Sequence, residues 1–292
     1  MLNKLSVTYN GTSITLENVT TVAVIGDNGI GKTALLERVA LVNEDNTSAI
    51  LNVKGSVSYE DFSVGIDEEE VKCERVEANR VRVSYRVEPN GVPVPLISEV
   101  RRYNCQGNIK HKVMIVYPYA FKTPVHEPHY NVFIKPNNED VEFNRIIKRL
   151  IEELIDGTVI HTVGDFIYEE GDNTKYLDSL GRGISNTVKL IWTVFHHKPD
   201  ILLIDDIETL GLHPKRLQTL LRWFKEYIRE DKLKAVLFTT NSDAYADLAE
   251  VDEEAKFLLL RKDGYIIMDR EEVLKRLDYE DLRYTAIKDE VL

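Results

Sequence analysis

Residues 26–33 read G-D-N-G-I-G-K-T, and this octapeptide restricts the fold more than any other stretch of the chain. It follows an apolar run (Val22, Ala23, Val24, Ile25) and precedes an amphipathic segment over 34–42, so a buried strand is expected to turn through glycines into a helix. The positive end of such a helix and its free N–H groups converge on one point, where an anion is stabilised. The G-x-x-x-x-G-K-[ST] spacing narrows the anion to a nucleoside triphosphate. The backbone of Gly26, Asp27, Asn28, Gly29, Ile30 and Gly31 wraps a phosphate, Lys32 reaches the β and γ oxygens, Thr33 offers a hydroxyl to Mg²⁺, and Ala34 opens the helix.

A second signal lies far along the chain. The apolar run Ile201, Leu202, Leu203, Ile204 ends in Asp205 and Asp206. An acid at the end of a buried strand is what a phosphate loop needs opposite its Thr to hold Mg²⁺, and Asp205 is that acid. Asp206 points to the other side of the strand end, where it would orient or deprotonate an attacking water.

The segments between and around these signals set the organisation. The opening forty residues read as strand (4–9), turn at Asn10 and Gly11, strand (13–19), strand (21–25), phosphate loop and helix. From about 49 to 121 the pattern becomes short alternating segments, with Val81, Val83, Tyr85 and Val87 on one face, a turn at Pro89, Asn90 and Gly91, and a later strand over 113–117. Helical periodicity covers 140–155, and β-rich sequence covers 158–168. Next come helices over 184–196 and 214–229, a strand over 235–240, a helix over 243–249, a strand over 257–261, a hairpin at Asp263 and Gly264, and a strand over 265–268. Asp269 with Glu272 three residues on predicts a capping box at a final helix. The expected class is α/β: a P-loop NTPase with a mainly parallel core sheet, an antiparallel β insertion and a helical lobe. The division is 1–45 plus 199–292 for the core lobe, 46–138 for the insertion and 139–198 for the helical lobe.

The 292 residues are 43% hydrophobic, enough for a sizeable core. No run approaches the length of a membrane span, and residues 1–7 lack an apolar core and a cleavage site, so neither anchor nor signal peptide is expected and a cytoplasmic location is. Cys73 and Cys105 lack C-x-x-C spacing and are expected to be reduced thiols. A net charge of -12 argues against coating nucleic acid over the whole surface, yet residues 75–122 hold nine Lys/Arg against three Glu.

Four ordered motifs, G-D-N-G-I-G-K-T, S-L-G-R-G-I-S (179–185), L-L-I-D-D-I-E-T-L-G-L-H-P (202–214) and F-T-T-N-S (238–242), resemble those of the ABC-type ATPases. The soluble branch is the best match: RecF-like and SMC-like heads, and the ATPase part of overcoming-lysogenization-defect proteins. The resemblance implies a head that dimerises around two ATPs, with Mg²⁺, the phosphate loop of one subunit facing the glycine motif of the other. Gly181, Arg182, Gly183 and Ser185 would then present a helix N-terminus to the partner's γ-phosphate. The chain departs from the family pattern in four places. Asp206 stands where the family has glutamate, with Glu208 as a substitute. Asn241 stands for the switch histidine and would sense the γ-phosphate without a charge. Arg182 replaces a serine and would reach the partner's site as an arginine finger. Neither glutamine, Gln106 or Gln218, follows the 113–117 strand, where the family has one; Tyr119 lies nearest. Slow or partner-dependent hydrolysis follows from these departures.

Several residues keep two readings. Tyr9 either stacks on adenine or packs in the core. Arg80, Arg82 and Arg86 share one strand face, either as a track for nucleic-acid phosphates or as a solvated face near Glu68, Glu69 and Glu70. His126 and His129 read as a surface connection, and His213 as part of a dimer seam. The function expected is a soluble ATPase of nucleic-acid maintenance or defence. The alternative is an ATP-gated module that hydrolyses little and acts on a partner protein.

Overall fold

The computed structural model of the protein describes residues 1–9, 11–40, 49–53, 61–76, 81–87, 93–107, 109–118, 158–162, 165–170, 173–176 and 181–277. Strands β1 (Leu2–Tyr9), β2 (Thr12–Val19) and β3 (Thr21–Ile25) open the chain, and helix α1 (Lys32–Ala40) follows the glycine-rich loop. Strands β4 (Ala49–Val53), β5 (Phe62–Ile66), β6 (Glu69–Val76), β7 (Val81–Val87) and β8 (Pro93–Gly107) join β1 and β2 in an antiparallel sheet. Its order is β2-β1-β5-β6-β8-β4, with β7 also on β8. Strand β9 (Val113–Val116) precedes a separate three-stranded antiparallel sheet of β10 (Thr158–Thr162), β11 (Asp165–Glu170) and β12 (Asn173–Tyr176).

Helix α2 (Arg182–His197), strand β13 (Ile201–Ile204), a 3-10 turn (Ile207–Leu210) and helix α3 (Pro214–Arg229) come next. Strand β14 (Ala235–Thr240), helix α4 (Ala244–Val251), strands β15 (Lys256–Arg261) and β16 (Gly264–Met268) and helix α5 (Arg270–Leu277) end the described chain. The second large sheet runs β16-β15-β3-β14-β13-β9, parallel throughout except for β16. The chain is thus an α/β protein with the architecture of a P-loop NTPase.

Both faces of the parallel sheet are covered, which is why β3, β13 and β14 read as continuous apolar runs rather than alternating ones. Period-two geometry divides each strand between two cores. Val236 and Phe238 of β14, with Ala23 and Ile25 of β3, pack among Trp192, Leu220, Phe224 and Leu248 of the helices on one face. Ala235 and Leu237, with Val22 and Val24, pack against Leu35, Leu36 and Val39 of α1 on the other. Helix α1 is therefore held between the two large sheets, since the same core includes Leu5, Val7, Val64 and Ile66 of the antiparallel sheet. The capping box forms as expected: Glu272 N–H donates to Asp269 Oδ1 at 2.9 Å, and Asp269 N–H to Glu272 Oε2 at 3.0 Å.

Two expectations change. The V-M-I-V strand, grouped from sequence with the antiparallel insertion, is β9 and pairs in parallel with β13, Val116 opposite Ile204. Strands β1 and β2 pair with each other and, through β1, with β5 of the antiparallel sheet. An apolar run shows that a strand is buried but not which strand it meets. Cys73 and Cys105, expected as reduced thiols, form a disulfide. They sit directly opposite in the β6–β8 ladder with Cα atoms 4.0 Å apart, a proximity that a separation of 32 residues conceals. The helix expected over 140–155, Arg80, Tyr119, His126 and His129 lie outside the described residues. Among the described residues, no helix is long and apolar enough to cross a membrane.

Candidate active site

The carboxyl ends of β3, β14 and β13, three neighbours in the parallel sheet, bring the loop after Ile25, the segment after Thr240 and the acids after Ile204 to one place. At Gly26 a Cβ would lie 2.8 Å from the carbonyl oxygen of Leu260, and its φ is +151°, so the turn out of β3 has room for glycine alone. The loop returns to helix at Gly31, whose carbonyl accepts the N–H of Leu35 at 2.9 Å. Asp27, Asn28 and Gly29 are exposed, while Ile30, Gly31, Thr33 and Ala34 are half-buried.

Lys32 is buried, and its ammonium folds back over the loop, donating to the carbonyls of Gly26 (2.6 Å) and Asp27 (3.0 Å) and to Asn241 Oδ1 (2.5 Å). Burial pulls its pKa down, against the opposing fields of Asp206, Glu208, Asp205 and Asp27. Asn241 uses its other atoms as well. Its Nδ2 donates to Asp206 Oδ1 at 3.1 Å and its backbone N–H to Glu208 Oε1 at 2.6 Å. Asn241 thus joins the Lys32 ammonium to two of the acids that follow β13, Asp206 through its amide and Glu208 through its backbone. Glu208 Oε2 is buried and has no hydrogen-bond partner among the described residues.

Thr33 Oγ1 donates to both carboxylate oxygens of Asp205, at 2.9 and 3.1 Å. Asp205 is 3% exposed, and burial raises its pKa despite hydrogen bonds from Thr239 and Thr33. A buried carboxylate beside a hydroxyl, both hard oxygen donors, fits a cation such as Mg²⁺ that takes one or two protein ligands and fills its shell with phosphate and water. Asp206 has φ 52° and ψ 69°, a left-handed conformation costing about 1–3 kcal/mol in a non-glycine residue. It is held from both sides: its N–H donates to Thr239 Oγ1 at 2.7 Å, and its carbonyl accepts Thr209 Oγ1 at 2.7 Å. Although Asp206 precedes the 3-10 turn, its carboxylate makes no capping bond there.

The glycine motif starts α2. Gly181 and Arg182 are exposed, Gly183 half-buried and Ser185 buried. This helix end abuts the turn that carries Glu208: a Cβ on Gly183 would lie 2.6 Å from the carbonyl oxygen of Gly211, whereas one on Gly181 would meet nothing within 4 Å. Gly183→Ala must push the turn aside, and an expected loss of about 1–3 kcal/mol in urea unfolding follows. Gly181→Ala at φ -54° is expected to stay within about 0.5 kcal/mol of wild type in the same measurement.

Tyr9 is half-buried, with the Arg38 guanidinium carbon 4.5 Å from its ring centroid. Arg82 and Arg86 lie on β7 opposite Ser98 and Val94 of β8. His213 is exposed and precedes α3. Sequence reasoning gave no role to Glu37, Tyr117 or Thr239. Glu37 of α1 accepts a hydrogen bond from Tyr117 Oη at 3.1 Å, both buried, directly after β9. Polar residues on otherwise apolar faces were the available signal for all three.

No protein-family model matches the chain, and no curated protein matches it in sequence. Solved structures do match in fold. The SMC head domain from Thermotoga maritima aligns with 92% of this chain and 98% of its own at TM-score 0.50 and 15% identity. An SMC head bound to the C-terminal winged-helix domain of ScpA aligns with 93% and 99% at TM-score 0.51 and 12% identity. CbiO1 from Clostridium perfringens, part of the ABC transporter complex CbiONQ, aligns with 95% and 92% at TM-score 0.50 and 12% identity. The fold is that of the ABC-type P-loop ATPases, as the four motifs implied.

Proposed function

We propose that the chain is an ATP hydrolase that binds Mg²⁺-ATP and turns it over slowly in a homodimer. The observation that carries this reading is the convergence of Lys32, Thr33, Asp205, Asp206 and Asn241 from three chain segments into one hydrogen-bonded set. Lys32 would exchange its carbonyl partners for β and γ oxygens of the nucleotide. Thr33 and Asp205 would hold Mg²⁺, which neutralises charge developing on the phosphates. Asp206 would orient the attacking water, and Glu208, with one oxygen buried and unpaired, is the second proton acceptor within the cluster. Asn241 would register the γ-phosphate, because ligand oxygens compete for the ammonium it now holds. Gly181, Arg182, Gly183 and Ser185 would complete the partner's site. The short Asp206 side chain and the uncharged Asn241 support slow turnover.

Use in nucleic-acid maintenance or defence, in the cytoplasm, belongs to this proposal and rests on Arg80, Arg82 and Arg86 and on the likeness to SMC heads. The partner-gated alternative is supported by the SMC head that was solved bound to ScpA. Molecular mass in solution with Mg²⁺-ATP, followed beside phosphate release, tests the reading. Wild type should dimerise with ATP, and Asp206→Asn should slow release about hundredfold and prolong the dimer. A protein that binds ATP yet stays monomeric would sink the role of the glycine motif in trans and favour the partner-gated module.

A further inference from the structure

Thr239 lies near the end of β14, is 0% exposed, and touches Asp205 and Asp206 through a single hydroxyl. Its Oγ1 donates to Asp205 Oδ1 at 2.8 Å and accepts the N–H of Asp206 at 2.7 Å. Those two bonds use the one proton a hydroxyl has to give and a lone pair, so their directions are fixed by stoichiometry. With no access to solvent, water does not replace either bond when the hydroxyl is removed.

The two side-chain donors on Asp205 differ in what nucleotide binding does to them. Thr33 belongs to the phosphate loop and would turn its oxygen to the cation, whereas Thr239 is fixed in the central strand between β3 and β13. Asp206 depends on the same hydroxyl for another reason. Its left-handed backbone has a cost, and the Thr239 bond is the tether on its N–H.

We propose that Thr239 is the positioning residue of this site, setting the Asp205 carboxylate for the cation and the Asp206 backbone for the water with one buried hydroxyl. The inference rests on the Mg²⁺-ATP reading above. Removing a group that hydrogen-bonds a metal ligand typically lowers metal affinity or activity by roughly ten- to hundredfold. Two parameters should therefore move together. In Thr239→Val, which keeps the shape and loses the hydroxyl, the Mg²⁺ concentration for half-maximal phosphate release should rise about tenfold and kcat should fall about tenfold or more. ATP affinity measured in EDTA should change less than about threefold, because Thr239 is fully buried and presents no surface to a phosphate.

Thr239→Ser should restore Mg²⁺ dependence and kcat to within about threefold of wild type. Should the valine variant fail to fold, Ser and Ala replace it as the informative pair: both lose the methyl group and only Ala loses the hydroxyl. Mn²⁺ affinity of the ATP complex, read from the free Mn²⁺ resonance, is the arm that needs no turnover. It should weaken about tenfold in the hydroxyl-free variants and not in Ser. Wild-type Mn²⁺ affinity, Mg²⁺ dependence and kcat in a folded Thr239→Val protein would overturn the positioning role while leaving the ATPase reading intact. A wild-type protein that binds no nucleotide would overturn that reading and this inference with it.

Discussion

Lys32→Ala is expected to lower ATP affinity at least about hundredfold, as measured by equilibrium binding of a fluorescent ATP analogue with a competition series. The ammonium is the one side-chain cation hydrogen-bonded within the described cluster, and it faces Asp205, Asp206, Glu208 and Asp27. Bringing a triphosphate to those four carboxylates without it would be opposed by their fields. The same substitution carries a second, less obvious consequence. Lys32 is counter-ion to the acids and donor to Gly26, Asp27 and Asn241, so its loss leaves those acceptors uncompensated. Unfolding without nucleotide should therefore show a loss of about 1–3 kcal/mol. A variant that binds no ATP but keeps full stability in the same unfolding measurement would mean that the contacts of Lys32 with Gly26, Asp27 and Asn241 contribute nothing net.

The second large effect concerns a residue outside the nucleotide contacts. Burial raises the Glu37 carboxyl to about 7, with the Tyr117 hydrogen bond and Arg38 opposing the shift and Asp205 adding to it. Because its folded pKa lies above the unfolded one, the native state binds the proton more tightly. The stability from this group is complete below the ordinary carboxyl value of 4.5 and is lost as pH rises through about 7. The shift corresponds to at most about 3 kcal/mol between pH 4.5 and 8. Glu37→Gln has no proton to lose and retains an oxygen for Tyr117. Its stability should be flatter with pH, and at pH 8 it should exceed wild type by up to about 3 kcal/mol in urea unfolding. Parallel pH profiles for the two proteins would show that the Glu37 carboxyl titrates alike in the folded and unfolded states, with no upward shift on folding.

Legibility from sequence follows the range of the signal. The phosphate loop, the acid-ended strand, helix α3 after Pro214 and the Asp269–Glu272 box are local patterns, and each forms where it was expected. What sequence left open depends on partners brought from elsewhere. The apolar Val113–Val116 run says nothing of its pairing with β13, and the two cysteines give no sign of a shared ladder. Glu37 meets Tyr117 across 80 residues and Thr239 meets Asp205 across 34, so neither contact has a spacing rule. Within F-T-T-N-S, Asn241 stands where the ABC-type ATPases that the motif resembles have a switch residue. Thr239, two positions earlier and inside β14, matches no motif position.

The sheet order also governs when this site can exist during synthesis. Strand β3 has β14 and β15 as its two neighbours, and both are translated more than two hundred residues later. A nascent chain that has emerged as far as α3 holds the whole glycine-rich loop but neither strand that flanks it. Such long-range pairing is slow and leaves an apolar strand exposed meanwhile. The antiparallel sheet, whose strands all lie within the first 107 residues, is complete by then. It shares one core with Leu35, Leu36 and Val39 of α1, a core whose strands β13, β14 and β15 are delivered later by the ribosome.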